Sequence, residues 1–532
     1  MVKTIKNEKI QLLVLGITSL FSFLSTLWVR GADLMEARNF ITAREILESG
    51  NWMLTTLNGQ YRFEKPPLPT WLTAIVMKMF NTTTNEAVLR IPSALISTLM
   101  VFLLYKLIKL LSKNSLVAFF SAFVLSTTFM VIKVGGENTW DIYPYAFIIG
   151  TIAYLIEGFE IQKLKSFIIS GLFLGASIMS KGPVAIYGIF LPFILAYSYV
   201  YNFKNFVYNW KKIILLIVTG IVFSAIWPAL MLFENHELFL SVLQKEADTW
   251  TTKHSRPIYF YLDYFVYTGV WIFFSIFSIF GKKYITNEIK NKKIFNFGFF
   301  WTLLTLLFLS VVKMKKQRYG IPIYITSSIM VGTILEYYYF KNWNILNRFD
   351  KLLFKIQAIF LSVVYIGVPI LFITAFNKKI IKIDYLIFLM VIYGSLSIIL
   401  FYMYKQKKNF IKFTIIATGF TMVLANITSN WYIERYLRSN YQGHSAYLEI
   451  FQDNKLRDPI YAKNFGIQDV WNIGDKIIQV TDNTIFPEKF IFLDSNNMSE
   501  YLSDNYKILK SETYYRMKDD DKTLNIYYME NK

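Results

Sequence analysis

No cysteine occurs among the 532 residues, and only three histidines do. The first absence excludes disulfides, thiolate nucleophiles and zinc–thiolate centres. The second leaves too little material for a dedicated histidine metal cage. Charge is also sparse, at 17% of residues, and unbalanced, with 56 Lys and Arg against 36 Asp and Glu. Neither a phosphate-cradling glycine loop, a dinucleotide-binding fingerprint nor a metal-spacing motif can be found, so the common nucleotide-binding folds have no support. Internal repeats and low-complexity tracts are likewise missing.

What is abundant is apolar: 54% of residues are hydrophobic and 18% aromatic, well outside the range of a soluble domain. Crossing a bilayer as a helix takes about 20 apolar residues. Thirteen runs reach or approach that length: Leu12–Val29, Ile91–Leu111, Leu116–Ile132, Ile142–Ile156, Phe167–Met179, Val184–Tyr201, Ile213–Phe233, Ile258–Phe280, Ile294–Val312, Ile321–Leu335, Ile356–Phe376, Tyr385–Tyr404 and Phe413–Ile427. The expected fold is a mainly α, polytopic bundle of about thirteen transmembrane helices. Leu12–Val29 has no small-residue cleavage site and reads as a retained span.

Lysine placement orients the chain. The segments Lys109–Lys113, Lys163–Lys165, Lys204–Lys212, Lys282–Lys293, Lys341–Lys355 and Lys405–Lys412 alternate with loops mostly poor in Lys and Arg. By the positive-inside rule the basic N-terminus is cytoplasmic and an odd span count puts the C-terminus outside. The net charge of +20 is then mostly topology signal and contact with anionic lipid, and needs no nucleic acid. From Asn430 the chain turns polar. Lys489–Leu493 and Thr523–Met529 read as strands and Ser499–Asn505 as a short helix. The division expected is a membrane domain over 1–429, with its first outer loop at 30–88, and a small extracytoplasmic α/β domain over 430–532.

One outer stretch is unusually charged. Asp33, Glu36, Arg38, Arg44, Glu45, Glu48, Arg62, Glu64 and Lys65 crowd the segment Asp33–Trp71. Ala37, Phe40, Ile41 and Leu47 recur at helical spacing and Gly50 sits where a helix would stop, so an amphipathic helix along the membrane surface is expected. The prolines of EKPPLPT then impose a turn. Asp33-x-x-Glu36 by itself fits a capping box, without any chemistry.

The motif EARNFITAREILESGNW followed by LNGQYRFEKPPLPTW resembles the first outer loop of C-type fold integral-membrane glycosyltransferases that use polyprenyl-phosphate sugars. The aminoarabinose transferase and protein O-mannosyltransferase group is the nearest. Weaker similarity continues at GGENTWD, SKGP, the loop around His254 and KKQRYxxP; the last hundred or so residues carry none. The resemblance implies sugar transfer from a lipid phosphate to a lipid, protein or glycan acceptor at the outer face of the bacterial cytoplasmic membrane. Such chemistry needs a carboxylate base, cations for the leaving phosphate and a greasy groove for the prenyl chain.

Glu36 is the first candidate base and Asp33 the second, because Met35 fills a position where the family usually carries Asp. Asp141 resembles the family's second outer-loop acid, with a plain N-cap as its alternative. For the phosphate and sugar, Lys65 in FEKPP leads, followed by Arg38, Lys315, Arg318 and Tyr319, then Lys181 in SKGP and Arg256. Interfacial snorkelling is the alternative for the cations of Lys313–Arg318. No cofactor is required; Glu64 and His254 would be the ligands of a divalent metal, if the protein uses one. A transporter or flippase of lipid-linked sugars is the alternative function, and Met35 leaves room for an inactive scaffold.

Overall fold

The computed structural model describes residues 7–25, 27–29, 31–252, 254–377, 381–437, 458–481, 484–494, 505–515 and 523–532. They form two compact units. The first comprises Met1–Thr26, Phe63–Pro69 and Pro92–Asn430, and the second Leu27–Arg62, Thr70–Ile91 and Trp431–Lys532.

The first unit is helical. Each of the thirteen apolar runs lies at least in part on helix, but they are not equivalent. Among the described residues eight helices are long and apolar enough to cross a membrane: Glu86–Ser112, Ile142–Ile161, Leu164–Lys181, Trp210–Glu234, Lys292–Val311, Arg348–Asn377, Ile383–Gln406 and Phe410–Asn430. Two more runs are broken pairs, Ser115–Ser126 with Phe129–Gly135 bent by 65°, and Ile258–Tyr267 with Gly269–Phe280 bent by 97°, which brings the count to ten. The remaining three lie on the helices Glu8–Leu24, Ile186–Tyr201 and Ile321–Tyr339. Thirteen full spans are thus more than these helices supply by length and composition. Apolar runs report burial in something greasy, and a protein interior satisfies that as well as lipid does.

Burial separates the two environments. Of the most apolar window of Trp210–Glu234 and of Ile383–Gln406, only 22% is buried, whereas 83% of that of Ile142–Ile161 is. The first two present the apolar flank that a bilayer covers, and the last is an internal strut. Close helix contact depends on small residues. A Cβ on Gly171 would stand 2.5 Å from the Leu216 carbonyl oxygen on the helix Trp210–Glu234.

The second unit is α/β. Its strands are β1 (Thr56–Leu57), β2 (Gln60–Tyr61), β3 (Ile460–Ala462), β4 (Ile477–Gln479), β5 (Lys489–Asp494), β6 (Tyr506–Tyr515) and β7 (Thr523–Asn531). β1 and β2 make a hairpin; the other five form one sheet in the order β4-β3-β5-β7-β6. β3 runs parallel to both β4 and β5, and β7 antiparallel to β5 and β6. Both strands expected in the tail are present as β5 and β7. The helix expected at Ser499–Asn505 falls, except for Asn505, outside the described residues.

The helix Leu34–Ser49 belongs to this unit, with ten of its 16 residues buried. Ala37, Phe40, Ile41, Ala43 and Ile46 share one core with Ile460, Val470, Trp471, Ile491, Leu493 and Ile526. Phe40 and Trp471 pack with ring centroids 5.1 Å apart. The apolar stripe read as membrane-facing therefore packs on the tail domain, and the first outer loop, apart from Phe63–Pro69, groups with residues 431–532 rather than with the bundle. Asn58 and Gly59, both at positive φ, turn the hairpin, as the type I′ geometry of short hairpins requires. Glu45 holds that turn by accepting from the Gly59 amide at 3.2 Å and from the Thr56 hydroxyl. Asn58 then exchanges two 2.9 Å hydrogen bonds with the backbone of Ile477 on β4.

Candidate functional site

In the first unit, the elements around Asp141 gather six of the expected site residues. Asp141 precedes the helix Ile142–Ile161 but makes no side-chain cap to it. Its carboxylate accepts instead from the Lys181 ammonium, from Arg318 at 3.3 Å and from the Thr139 hydroxyl at 3.1 Å. Arg318 also stands 3.7 Å from Glu137. The Lys181 ammonium lies 4.3 Å over the Tyr319 ring. Two acids and two cations thus interlock, with Asp141 and Glu137 buried and Arg318 the most open member at 26% exposed.

Three local features deliver these groups. Lys181 is the last residue of the helix Leu164–Lys181, which stops at Gly182 with φ +69°. Arg318 and Tyr319 occupy the 3-10 turn Gln317–Gly320. The segment just before that turn pairs with the loop at His254. The Arg256 amide donates to the Lys313 carbonyl and the Lys315 amide to the His254 carbonyl, both at 3.2 Å. The Lys315 ammonium, buried, donates to the Arg256 carbonyl at 3.2 Å, and burial lowers its pKa. The Tyr261 hydroxyl donates to the Lys316 carbonyl at 3.1 Å.

Burial alone would raise the pKa of Asp141, but Lys181 and Arg318 outweigh it and hold the carboxyl below its usual value. A permanently ionised, fully engaged carboxylate makes a poor proton acceptor and a good anchor for two cations. Asp141 makes no side-chain cap, and of the cations in Lys313–Arg318 it is Arg318 that is tied to carboxylates.

Lys65 and Glu64 sit half-buried in the bend before the helix Leu68–Met79, and Arg256 and His254 are exposed. Among the described residues no group of three or more His, Asp and Glu side chains could hold a metal. Glu64 and His254 belong to no such group.

The second unit holds Asp33, Glu36 and Arg38. The capping box is complete: Asp33 accepts from the amides of Met35 and Glu36 at 2.7 and 2.8 Å, and its own amide donates to Glu36 at 3.3 Å. Glu36, at 2% exposed, is also gripped by Arg90, whose Nε and Nη2 reach its two oxygens at 2.7 and 2.8 Å. Arg90 donates further to the Leu27 carbonyl at 2.7 Å. Glu86 accepts from the Ala32 amide at 3.0 Å and the Trp471 indole at 2.8 Å. With both oxygens occupied and no water-accessible face, Glu36 is a strut and is unsuited to the base role expected first for it. Asp33 is only half-buried. The Arg38 guanidinium has its Nε buried without a partner and its Nη1 3.9 Å from the Met35 sulfur.

Sequence reasoning passed over Glu137, Thr139, Tyr145 and Tyr261 in the first unit, and Glu86, Arg90 and Trp471 in the second. Tyr145 had a signal: it follows Asp141 by four residues on a helix, and such pairs share a face.

The family model for dolichyl-phosphate-mannose-protein mannosyltransferases matches residues 64–229, under half of the chain. An undecaprenyl phosphate-α-4-amino-4-deoxy-L-arabinose arabinosyl transferase of Proteus mirabilis is 26% identical over 316 residues, which cover 57% of this chain and 55% of that protein. Its counterpart in Wigglesworthia glossinidia brevipalpis is 24% identical over 505 residues, covering 88% and 85%. Against most of the curated relatives it matches, the chain spans little more than half of their length. The crystal structure of ArnT from Cupriavidus metallidurans bound to undecaprenyl phosphate superposes with a TM-score of 0.74 over 97% of each chain, at 16% identity. The fold is that of ArnT. The likeness expected from the motifs, to C-type fold glycosyltransferases of the aminoarabinose transferase kind, is present in the sequence as well.

Proposed function

We infer that this chain, with the fold of ArnT and the outer-loop motifs of lipid-phosphate-dependent glycosyltransferases, transfers a sugar from a polyprenyl phosphate to an envelope acceptor. The work is done at the outer face of the bacterial cytoplasmic membrane. The observation that carries this reading is the Asp141–Lys181–Arg318 cluster, in which buried carboxylates hold two cations at the ends of apolar helices. A nucleophilic oxygen of the acceptor bonds to the anomeric carbon, the bond from that carbon to the phosphate oxygen breaks, and the lipid phosphate leaves with the extra negative charge. Lys181 and Arg318 stabilise that charge from fixed positions. Lys65, Lys315 and Arg256 supply further cations, and Tyr319 positions the Lys181 ammonium through its ring. Asp33, the second of the expected bases, is the residue we carry forward as the candidate for taking up the acceptor's proton.

Purified protein incubated with a polyprenyl-phosphate sugar and candidate acceptors should release lipid phosphate. The two broken helices favour a second reading, since transporters build substrate sites from such breaks. A transporter would move the donor intact, so recovery of only intact donor defeats the enzymatic reading.

Lys65→Ala should lower turnover by about 100-fold, the usual effect of removing one charge-stabilising donor, while the protein remains folded. Turnover within about threefold of wild type would make Lys65 peripheral. For topology, a reporter fused at Lys532 should be accessible only from outside and one at the N-terminus only from the cytoplasm, as the lysine bias requires. The reverse pattern overturns both the orientation and the outer-face site.

A further inference from the structure

Tyr145 lies in the first turn of the helix Ile142–Ile161, four residues after Asp141, and has Asp141, Tyr261 and Tyr319 as its electrostatic neighbours. Its side chain is 1% exposed and its hydroxyl has no hydrogen-bond partner among the described residues. The surrounding phenols are engaged: Tyr143 donates to Asn138 at 2.6 Å, Tyr261 to the Lys316 carbonyl, and the Tyr319 ring faces the Lys181 ammonium. Asp141 already accepts from three donors. A buried, unpaired hydroxyl is unfavourable, and phenylalanine would fill the same space without that cost. A donor kept at such a position is best explained by an acceptor that arrives from outside the chain.

We propose that Tyr145 is a binding residue for the lipid phosphate, its hydroxyl donating to a phosphate oxygen that Lys181 and Arg318 neutralise. This deepens the proposed function and rests on it. Phosphate oxygens only accept, so a phenol O–H one helical turn from the carboxylate that holds both cations suits them. Arg318, the most exposed of the group, gives the anion its way in. Tyr145 adds direction to what the two cations supply as charge.

The test uses the full chain in lipid nanodiscs titrated with undecaprenyl phosphate, with melting temperature read in parallel. Tyr145→Phe should weaken binding by about tenfold or more, as loss of a hydrogen bond to a charged group does, with an unchanged or higher melting temperature. Tyr143→Phe, which breaks a formed hydrogen bond, should lower the melting temperature and keep the affinity. Unchanged affinity in Tyr145→Phe overturns the proposal. So does a lower melting temperature, which would mean that the hydroxyl serves the fold. Wild-type protein that does not bind undecaprenyl phosphate takes down the proposal and the reading beneath it together; wild type that binds no better than Tyr145→Phe removes the proposal alone.

Discussion

Arg318→Met should leave a folded protein that turns over about 100-fold more slowly, whereas Lys181→Met should lose stability as well as turnover. The two cations share Asp141 but not its burial. Lys181 is 11% exposed and Arg318 is 26% exposed, against 5% for the Asp141 side chain. Removing Arg318 leaves Asp141 neutralised by Lys181 and bonded to Thr139. Removing Lys181 withdraws the more deeply buried partner, and breaking a buried pair from one side costs about 3–5 kcal/mol. The loss in rate follows from the chemistry: a fixed donor aimed at developing charge is worth 10²–10³ in turnover by general experience.

Acidity separates these roles further. The folded-state pKa of Asp141 is depressed, so its contribution to stability is complete above the unfolded carboxylate value and is lost as pH falls through the lower folded value. Asp141→Asn should therefore weaken the protein at neutral pH and flatten its acid denaturation below the usual carboxylate range. Melting curves across that range, paired with turnover, check the claim. An Arg318→Met enzyme within threefold of wild type would show that the cluster serves the fold only.

How far these groups could be read from the sequence depends on the range of the interaction. The apolar runs located the long apolar helices of the bundle but not the polar helix His236–Thr252, because hydrophobicity is a property of a segment. They did not show which spans are broken, because nothing in Ile258–Phe280 announces a 97° break apart from Gly269, whose φ is +68°. The capping box at Asp33 and Glu36 and the left-handed stop at Gly50 were legible for the same reason: their partners lie within a few residues. The hairpin was also readable, since Asn58-Gly59 is the commonest signal for a two-residue turn.

Tertiary partners were not. Glu36 reads as a cap residue or a base until Arg90, 54 residues later, takes both of its oxygens. Trp471 comes 385 residues after Glu86, so the merging of the first outer loop with the tail domain leaves no local trace. The core shared by Phe40, Ile41 and Trp471 gave the helix Leu34–Ser49 the same pattern that a membrane surface would have asked of it. The Asp141 cluster lay between these extremes. Its residues were named individually by motif, while their assembly needed Gly182 and the 3-10 turn Gln317–Gly320 to bring them within bonding distance.

The outer-loop acids give the second large effect. Glu36→Gln should destabilise the second unit by up to about 3–5 kcal/mol, because the change takes the bidentate carboxylate from the buried Arg90 charge and leaves it Glu86 at 3.9 Å and the Leu27 carbonyl. Arg90 is 2% exposed. A role confined to the capping box would predict the opposite, since glutamine serves at that position nearly as well. Asp33→Asn should fold normally, because asparagine caps a helix as well as aspartate does. It should nevertheless lose about 10²–10⁴ in turnover, the contribution expected of a general base, because an amide cannot take up the acceptor's proton. Melting temperature and turnover measured on both variants separate the cases. Glu36→Gln with a wild-type melting temperature and no turnover would return the base role to Glu36. Asp33→Asn with wild-type turnover would confine Asp33 to its cap, and the proton would have to leave by another group.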